Sequence, residues 1–228
     1  MKVFVGTSGW FYSWNKEGNL DWFLKNSKLN AVELNASFYR FPFPNQIKAW
    51  AEKGKKIKWA IKINRLITHQ YKFNNKAFRS WKKFYKLFEA LDKYIDFYLF
   101  QLPPNFANMK QILNFAKKTK LKKRFALELR NKNLIENLKV EEVKKINKVL
   151  TLVSLDSPDF QIIFPGKIIY LRMHGRLSWY NHNYSLKELK EICEKIKEIK
   201  PQKVYVFFNN NHNMLNNARK MFKLLKIK

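Results

Sequence analysis

The sequence predicts an α/β protein built as a single (β/α)8 barrel, and three observations predict it. Short runs of β-branched and aromatic residues recur eight times along the 228 residues. Segments with helical hydrophobic spacing separate most of them, in units of about 25 to 35 residues, the alternation that yields a parallel sheet. The turn after the first strand, Gly6-Thr7-Ser8-Gly9, matches neither the dinucleotide fingerprint nor the Walker pattern that an open doubly wound sheet would favour. The chain is compact against the roughly 250 residues usual for a barrel. No internal repeat or composition break marks a boundary, so residues 1–228 are expected to form one domain.

Val3-Phe4-Val5 reads as the first strand, with a helix from Asn19 to Asn26 behind it. Ala31–Asn35 is the second strand, and Phe41-Pro42-Phe43-Pro44 then forbids regular helix until about Asn45–Lys53. Lys58–Ile63 is the third strand, with a loop over Arg65–His69. A long helix is expected from Lys76 to Lys93, because Trp81, Phe84, Tyr85 and Phe88 repeat at i, i+3, i+4, i+7. Strand four, Phe97–Leu102, stops at Pro103-Pro104 and precedes a helix over Met109–Thr119. Phe125–Arg130 is strand five, followed by a helix over Leu134–Asn147. Val149–Ser154 is strand six, and its connection holds little helix. Ile168–Gly175 contains strand seven, then a helix to Ile199 for which Ser185 and Glu188 form a capping box. Val204–Phe208 is strand eight, before a last helix over Met214–Leu225.

Composition bounds the class. At 46% hydrophobic and 16% aromatic residues the chain can bury a substantial core. It has no apolar run of the roughly 20 residues a membrane span needs, and its start does not read as a signal peptide. A single cysteine, Cys193, excludes an internal disulfide. These points favour a cytoplasmic protein that does not enter membranes. The net charge of +29 suggests a polyanionic partner, nucleic acid first. The alternative is compositional bias: lysines are dispersed, as at Lys82-Lys83, Lys117-Lys118, Lys144-Lys145 and Lys195-Ile196-Lys197. Both readings stay open, and oligomeric state is not readable.

In a barrel, function collects at the carboxyl ends of the strands. The polar residues there are Ser8, Glu33, Asn35, Lys62, Gln101, Glu128, Arg130, Asp156, Arg172, His174, Asn209 and Asn210, with His69 in a nearby loop. Arg172 and His174 share a strand face because side chains alternate with period two. Glu33, Glu128, Asp156 and His174 are the candidates for acid–base catalysis. Taken together they also have the donor types for a divalent metal, although no ligand spacing demands one. Lys62, Arg130 and Arg172 suit an anionic or phosphate-bearing substrate; alternatively the arginines neutralise the acids. Trp10, Tyr12, Trp14, Phe38, Tyr39, Trp179 and Tyr180, in loops after strands one, two and seven, can stack on a base or sugar, or else pack over the barrel mouth. His182 and His212 read as surface residues. A barrel hydrolase acting on a phosphate-bearing or nucleic-acid substrate is the leading reading. A non-catalytic binding module for a small anion or nucleotide is the alternative. Sugar chemistry needs two facing carboxylates, for which Glu33 and Glu128 are the obvious pair.

Eight stretches stand out together. They are Gly6-Thr7-Ser8-Gly9-Trp10 with Tyr12 and Trp14, Val32–Arg40 with Pro42, Ile67-Thr68-His69, and Phe100–Pro104. Glu128-Leu129-Arg130, Asp156-Ser157-Pro158, Tyr170–Gly175 and Phe208-Asn209-Asn210 complete the set. In these residues, in their order and over nearly the whole chain, the sequence resembles the YecE-like family, domain of unknown function seventy-two. The resemblance implies a TIM barrel with a polar pocket at its carboxyl end, and no settled activity. Two positions depart from the family pattern. Asn131 stands where a histidine usually follows the Glu-x-Arg, and Asn211 stands where an aspartate commonly follows the Phe-Asn-Asn.

Overall fold

A computed structural model describes residues 1–227. The strands among them are β1 (Lys2–Thr7), β2 (Ala31–Leu34), β3 (Lys58–Lys62), β4 (Ile95–Gln101), β5 (Phe125–Glu128), β6 (Thr151–Asp156), β7 (Gln161–Ile162), β8 (Ile168–Met173) and β9 (Lys203–Phe208). The helices are α1 (Leu20–Asn26), α2 (Pro44–Lys53), α3 (Asn75–Leu87), α4 (Met109–Thr119), α5 (Lys132–Glu136), α6 (Val140–Val149), α7 (Leu186–Ile199) and α8 (Met214–Lys226). The strand order is β5-β4-β3-β2-β1-β9-β8-β6-β7, and β5 additionally pairs with β6. Apart from the two-residue β7, which is antiparallel to β6, the pairings are parallel. This is the eight-stranded parallel order of the (β/α)8 fold, and the expected class is correct.

The described residues form two compact units. The first contains residues 1–33, 53–58 and the described residues from 153 onward. Its β1 runs in register with β9 from Lys2↔Lys203 to Thr7↔Phe208, and β9 with β8 from Ile168↔Lys203 to Met173↔Phe208. Gly6 is required where β1 meets β2: a Cβ there would lie 2.3 Å from the carbonyl oxygen of Ala31. Helix α7 starts as its capping box predicts, with Ser185 Oγ accepting from the Glu188 amide at 3.2 Å and Glu188 Oε2 accepting from the Ser185 amide at 2.7 Å.

The second unit contains residues 34–52 and 59–152. Its core is aromatic. Phe100 on β4 stacks on Phe125 of β5 at 3.8 Å between ring centres, and Trp81 of α3 meets Tyr98 edge-on at 5.2 Å. Ala77, Trp81 and Phe84, spaced by four and three, form the buried stripe of α3. Asn74 caps this helix, its side-chain oxygen accepting from the amides of Lys76 and Ala77 at 2.8 and 3.0 Å.

Four expectations change. The helix expected to reach Lys93 ends at Leu87. Beyond it Asp92 accepts from Tyr98 Oη at 2.7 Å and Arg124 Nη2 at 2.5 Å, which draws the chain off the helix axis. The helix expected over Leu134–Asn147 is two helices, α5 and α6. Asn137 closes the first, and Glu142 Oε2 reaches back to the Lys139 amide at 3.0 Å to start the second. The loop expected at Arg65–His69 holds a short, wide helical turn over Leu66–Gln70. Finally, Val149 closes α6 and β6 begins at Thr151. The connection after β6 has no helix among the described residues, as expected, but it folds back as β7, so the expected seventh strand is β8.

Candidate functional site

The sequence-selected residues occupy strand ends. Glu33 and Arg172 are the penultimate residues of β2 and β8; Lys62, Gln101, Glu128 and Asp156 close β3, β4, β5 and β6. Ser8, Asn35, His174 and Asn209 lie within one residue of a strand's carboxyl end.

In the first unit the centre is Glu33. Its Oε1 accepts from Ser8 Oγ at 2.7 Å and Arg172 Nη2 at 2.7 Å. Its Oε2 accepts from Tyr170 Oη at 2.5 Å and Arg172 Nε at 3.0 Å. Glu33 and Arg172 are both 0% exposed. Strand alternation on β8 explains the arrangement, because Tyr170, Arg172 and His174 share a face. Four such bonds fill the acceptor capacity of a carboxylate. Glu33 is thus arranged to hold Arg172, Tyr170 and Ser8 in place.

A second carboxylate is built similarly. Asp156 Oδ1 accepts from Tyr184 Oη at 2.7 Å, and Oδ2 accepts from Arg176 Nε at 3.0 Å. Arg176 Nη1 also donates to Glu191 Oε2 at 3.0 Å. Burial opposes the Arg176 charge, but its bonds to Asp156 and Glu191 outweigh that and raise its pKa. Burial and then the adjacent Asp156 charge push the Tyr184 hydroxyl far up, so it remains a donor.

His174 is fully buried. Its amide donates to the Asp156 carbonyl at 2.7 Å, and its ring lies 5.2 Å from Trp179 and 5.4 Å from Tyr180. Asn209 Nδ2 is 3.4 Å from His174 Nδ1. Gly175 turns the chain with φ +104°; a Cβ there would meet His182 Cβ at 2.6 Å and the Ser178 carbonyl oxygen at 2.8 Å. Trp10 and Tyr12 are half-buried, and Tyr12 Oη donates to the Ser8 carbonyl at 3.2 Å. Asn210, expected at the ligand, is fully buried and its amide donates to the His182 carbonyl and Asn217 Oδ1, both at 2.7 Å. His182 corrects another expectation: it is buried against Glu188 at 3.0 Å, because the loop after Gly175 folds inward. His212 is exposed, as expected.

In the second unit the centre is His69. Its ring stands edge-on to Phe38 at 5.1 Å, and its Nδ1 is 2.8 Å from Thr68 Oγ1. Lys62 Nζ lies 4.2 Å from the centre of the same Phe38 ring. Burial, followed by the positive charges of Lys62, Arg130 and Arg65, pushes the His69 pKa down to about 4. Arg130 Nε donates to Glu128 Oε1, and Glu128 is fully buried. Gln101 pairs with Glu128 in the β4–β5 register. Asn35 is half-buried, and Tyr39 is exposed with its ring 5.1 Å from Phe38.

Asn131, at the first departure from the family pattern, is a helix cap. Its Oδ1 accepts from the Leu134 amide at 2.9 Å and its Nδ2 donates to the Pro104 carbonyl at 2.8 Å. Asn211, at the second, has φ +54°, a left-handed conformation that asparagine tolerates well. The four-ligand metal set of Glu33, Glu128, Asp156 and His174 is not assembled: among the described residues no group of three or more His, Cys, Asp or Glu side chains is placed to hold an ion. Among them, too, no helix is long and apolar enough to cross a membrane. Sequence reasoning missed Tyr170, Arg176, Tyr184, Thr68 and Arg65. Tyr170 carried a signal in its place two residues before Arg172, and Thr68 in its place beside His69.

Strand order and strand-end chemistry define a TIM-barrel protein whose polar groups gather where barrel enzymes carry theirs. Comparison with known proteins agrees. The family model described as "Protein of unknown function DUF72" matches residues 4–228, and the chain belongs to this family. A crystal structure of a DUF72 family protein from Enterococcus faecalis V583 is similar at 19% identity, covering 99% of this chain and 96% of that one, with a TM-score of 0.78. A DUF72 family protein from Thermotoga maritima MSB8 is similar at 22% identity, covering 99% and 100%, with a TM-score of 0.76. D-psicose 3-epimerase from Clostridium cellulolyticum H10, crystallised with D-tagatose, shares the fold at 12% identity, covering 99% and 98%, with a TM-score of 0.50. No curated protein matches the chain.

Proposed function

We propose that this protein is an enzyme, a hydrolase that takes a phosphate-bearing substrate at the His69 site of the second unit. The observation that carries the reading is the convergence of Lys62, Arg65 and Arg130 on one half-buried imidazole. Burial already keeps the ring neutral; Lys62 and Arg65, with Arg130 paired to Glu128, leave a net positive field around it, and an anionic group relieves it. Substrate oxygens accept from the ammonium and guanidinium groups. Nδ1 is engaged by Thr68 Oγ1 at 2.8 Å, so the proton transfer falls to Nε2 of His69.

The same geometry times the proton transfer. A free-state pKa near 4 makes His69 a weak base. A bound phosphate offsets this net positive charge and returns the pKa toward the usual histidine range, so the base strengthens once substrate is in place. His69 then takes a proton from water as the water oxygen bonds to phosphorus, the phosphorus–oxygen bond to the leaving group breaks, and the leaving oxygen takes up a proton from solvent to depart as the alcohol. Glu128 holds Arg130 in position.

The test combines binding and turnover. Inorganic phosphate should raise the melting temperature of the native protein, and Lys62→Ala should abolish that shift. Against a panel of phosphomonoesters, His69→Ala should lower kcat by about 100-fold or more. A phosphate-induced shift with no turnover by the native protein on any ester identifies a binding module instead. The absence of any shift removes the reading altogether.

A further inference from the structure

The excess positive charge is not spread evenly over this chain. Residues 53–88 contain twelve Lys and Arg and no Asp or Glu, and residues 97–127 and 199–228 contain seven each and none. The first two stretches supply α3 and α4, and the third supplies α8. By contrast α7 carries Glu188, Glu191, Glu194 and Glu198, and α6 carries Glu141 and Glu142. Compositional bias alone would dilute acids everywhere. Here they are missing from α3, α4 and α8, and the first two of these helices face one cavity.

That cavity, about 370 Å³, lies within the second unit and is lined by both helices. Its apolar wall is aromatic: Phe115 meets Phe73 edge-on at 5.2 Å and Phe78 at 5.8 Å. Phe78 is half-buried, so part of it stays accessible. The polar lining includes Lys110, Lys118 and Asn114, all exposed, and no carboxylate. Lys82 Nζ stands 5.4 Å from the Phe78 ring centre and extends the basic rim. The helix starts do not supply the recognition, since Asn74 and Asn108 already cap them internally. An aromatic wall beside one-signed charge is how sequence-tolerant sites hold single strands, with a base on the ring and the backbone along the cations.

We propose that the α3–α4 cavity is a binding site for single-stranded nucleic acid, one base packing against Phe78 with Asn114 at its edge, and the flanking phosphates on Lys110 and Lys118. It does not rest on the hydrolase reading; the residues and the ligand contact are different.

Fluorescence anisotropy of the full chain with a labelled oligothymidylate of about twelve nucleotides, across about 50 to 200 mM salt, tests it. The double variant Lys110→Gln/Lys118→Gln should weaken binding about tenfold and reduce the salt slope by about 1.4, two contacts at about 0.7 each. The matched pair Lys187→Gln/Lys190→Gln on α7 removes the same charge and should change affinity less than about twofold. Phe78→Leu, checked for an unchanged melting profile, should weaken binding about fivefold or more without altering the slope. If that variant does not fold, the two lysine pairs decide alone. Equal losses from both pairs, no binding, or displacement of the oligonucleotide by polyglutamate at equal charge would overturn the proposal; the last would assign the surface to an acidic polypeptide.

Discussion

Glu33 and Arg172 stand 139 positions apart in sequence and are completely buried together. A buried pair of this kind adds little net stability over an apolar isostere, but removing one partner leaves an uncompensated charge. Glu33→Gln should therefore cost about 3–5 kcal/mol in urea unfolding. The double variant Glu33→Gln/Arg172→Met should cost less than the sum of the single changes, because the second removes the stranded charge. Additive losses would mean the two side chains are not coupled. His69 gives a pH prediction with a definite sign. Its folded pKa, about 4, lies below the ordinary 6.5. Above about pH 6.5 both folded and unfolded chains hold it neutral, and between about 6.5 and 4 only the unfolded chain takes the proton. Its contribution to stability is thus present above 6.5 and lost as pH falls toward 4. His69→Gln should flatten that part of the stability–pH curve, and a difference curve with no feature between these values would contradict the assigned environment. Alternation alone placed Arg172 and His174 on one face. It could not pair Arg172 with Glu33, because that depends on chain distances no local pattern encodes.

At the scale of elements, local chemistry that was visible in the sequence reappears in the structure. Ser185 and Glu188 form the predicted box, and Ser185→Ala should lower stability by about 1 kcal/mol, measurable as a shift in urea midpoint at constant m-value. The turn after β8 is more demanding. Gly175 combines positive φ with contacts at 2.6 and 2.8 Å, so Gly175→Ala has neither conformation nor space. A loss of about 1–3 kcal/mol is expected from the backbone alone. The effect should reach the Trp179–Tyr180 segment beside His174, so amide exchange should accelerate there before it does in α8. Elements were misplaced in sequence where side chains override periodicity. Asp92 stops α3 short of Lys93, and Asn137 with Glu142 divides one apparent helix into α5 and α6. Hydrophobic spacing alone runs through both breaks, because neither interrupts the apolar pattern.

For the whole molecule, the family match and the strand order make the barrel assignment independent of any single motif. The net charge of +29 then sets a property that the fold does not. Outside the buried centres, ion pairs such as Lys53–Asp21 and Lys144–Glu141 join exposed side chains, and such pairs are worth roughly 0–1 kcal/mol each. Forty-six basic residues against seventeen acids leave most lysines without a carboxylate to offset them. Their mutual repulsion opposes the compact state and is screened over a Debye length of about 10 Å at 0.1 M salt. Added sodium chloride should therefore stabilise this protein. Its melting temperature should rise by several degrees between about 20 and 300 mM salt, whereas a fold held mainly by surface ion pairs would lose stability over that range. The contribution should be uneven as well. Lys82→Glu/Lys83→Glu on acid-free α3 relieves more repulsion than Lys195→Glu on α7, where Lys195 already meets Glu191 at 2.7 Å. In low salt the α3 variant should melt higher than the native protein and the α7 variant lower, with both differences shrinking as salt is added. The same sign for both would show that the charge acts as a uniform background.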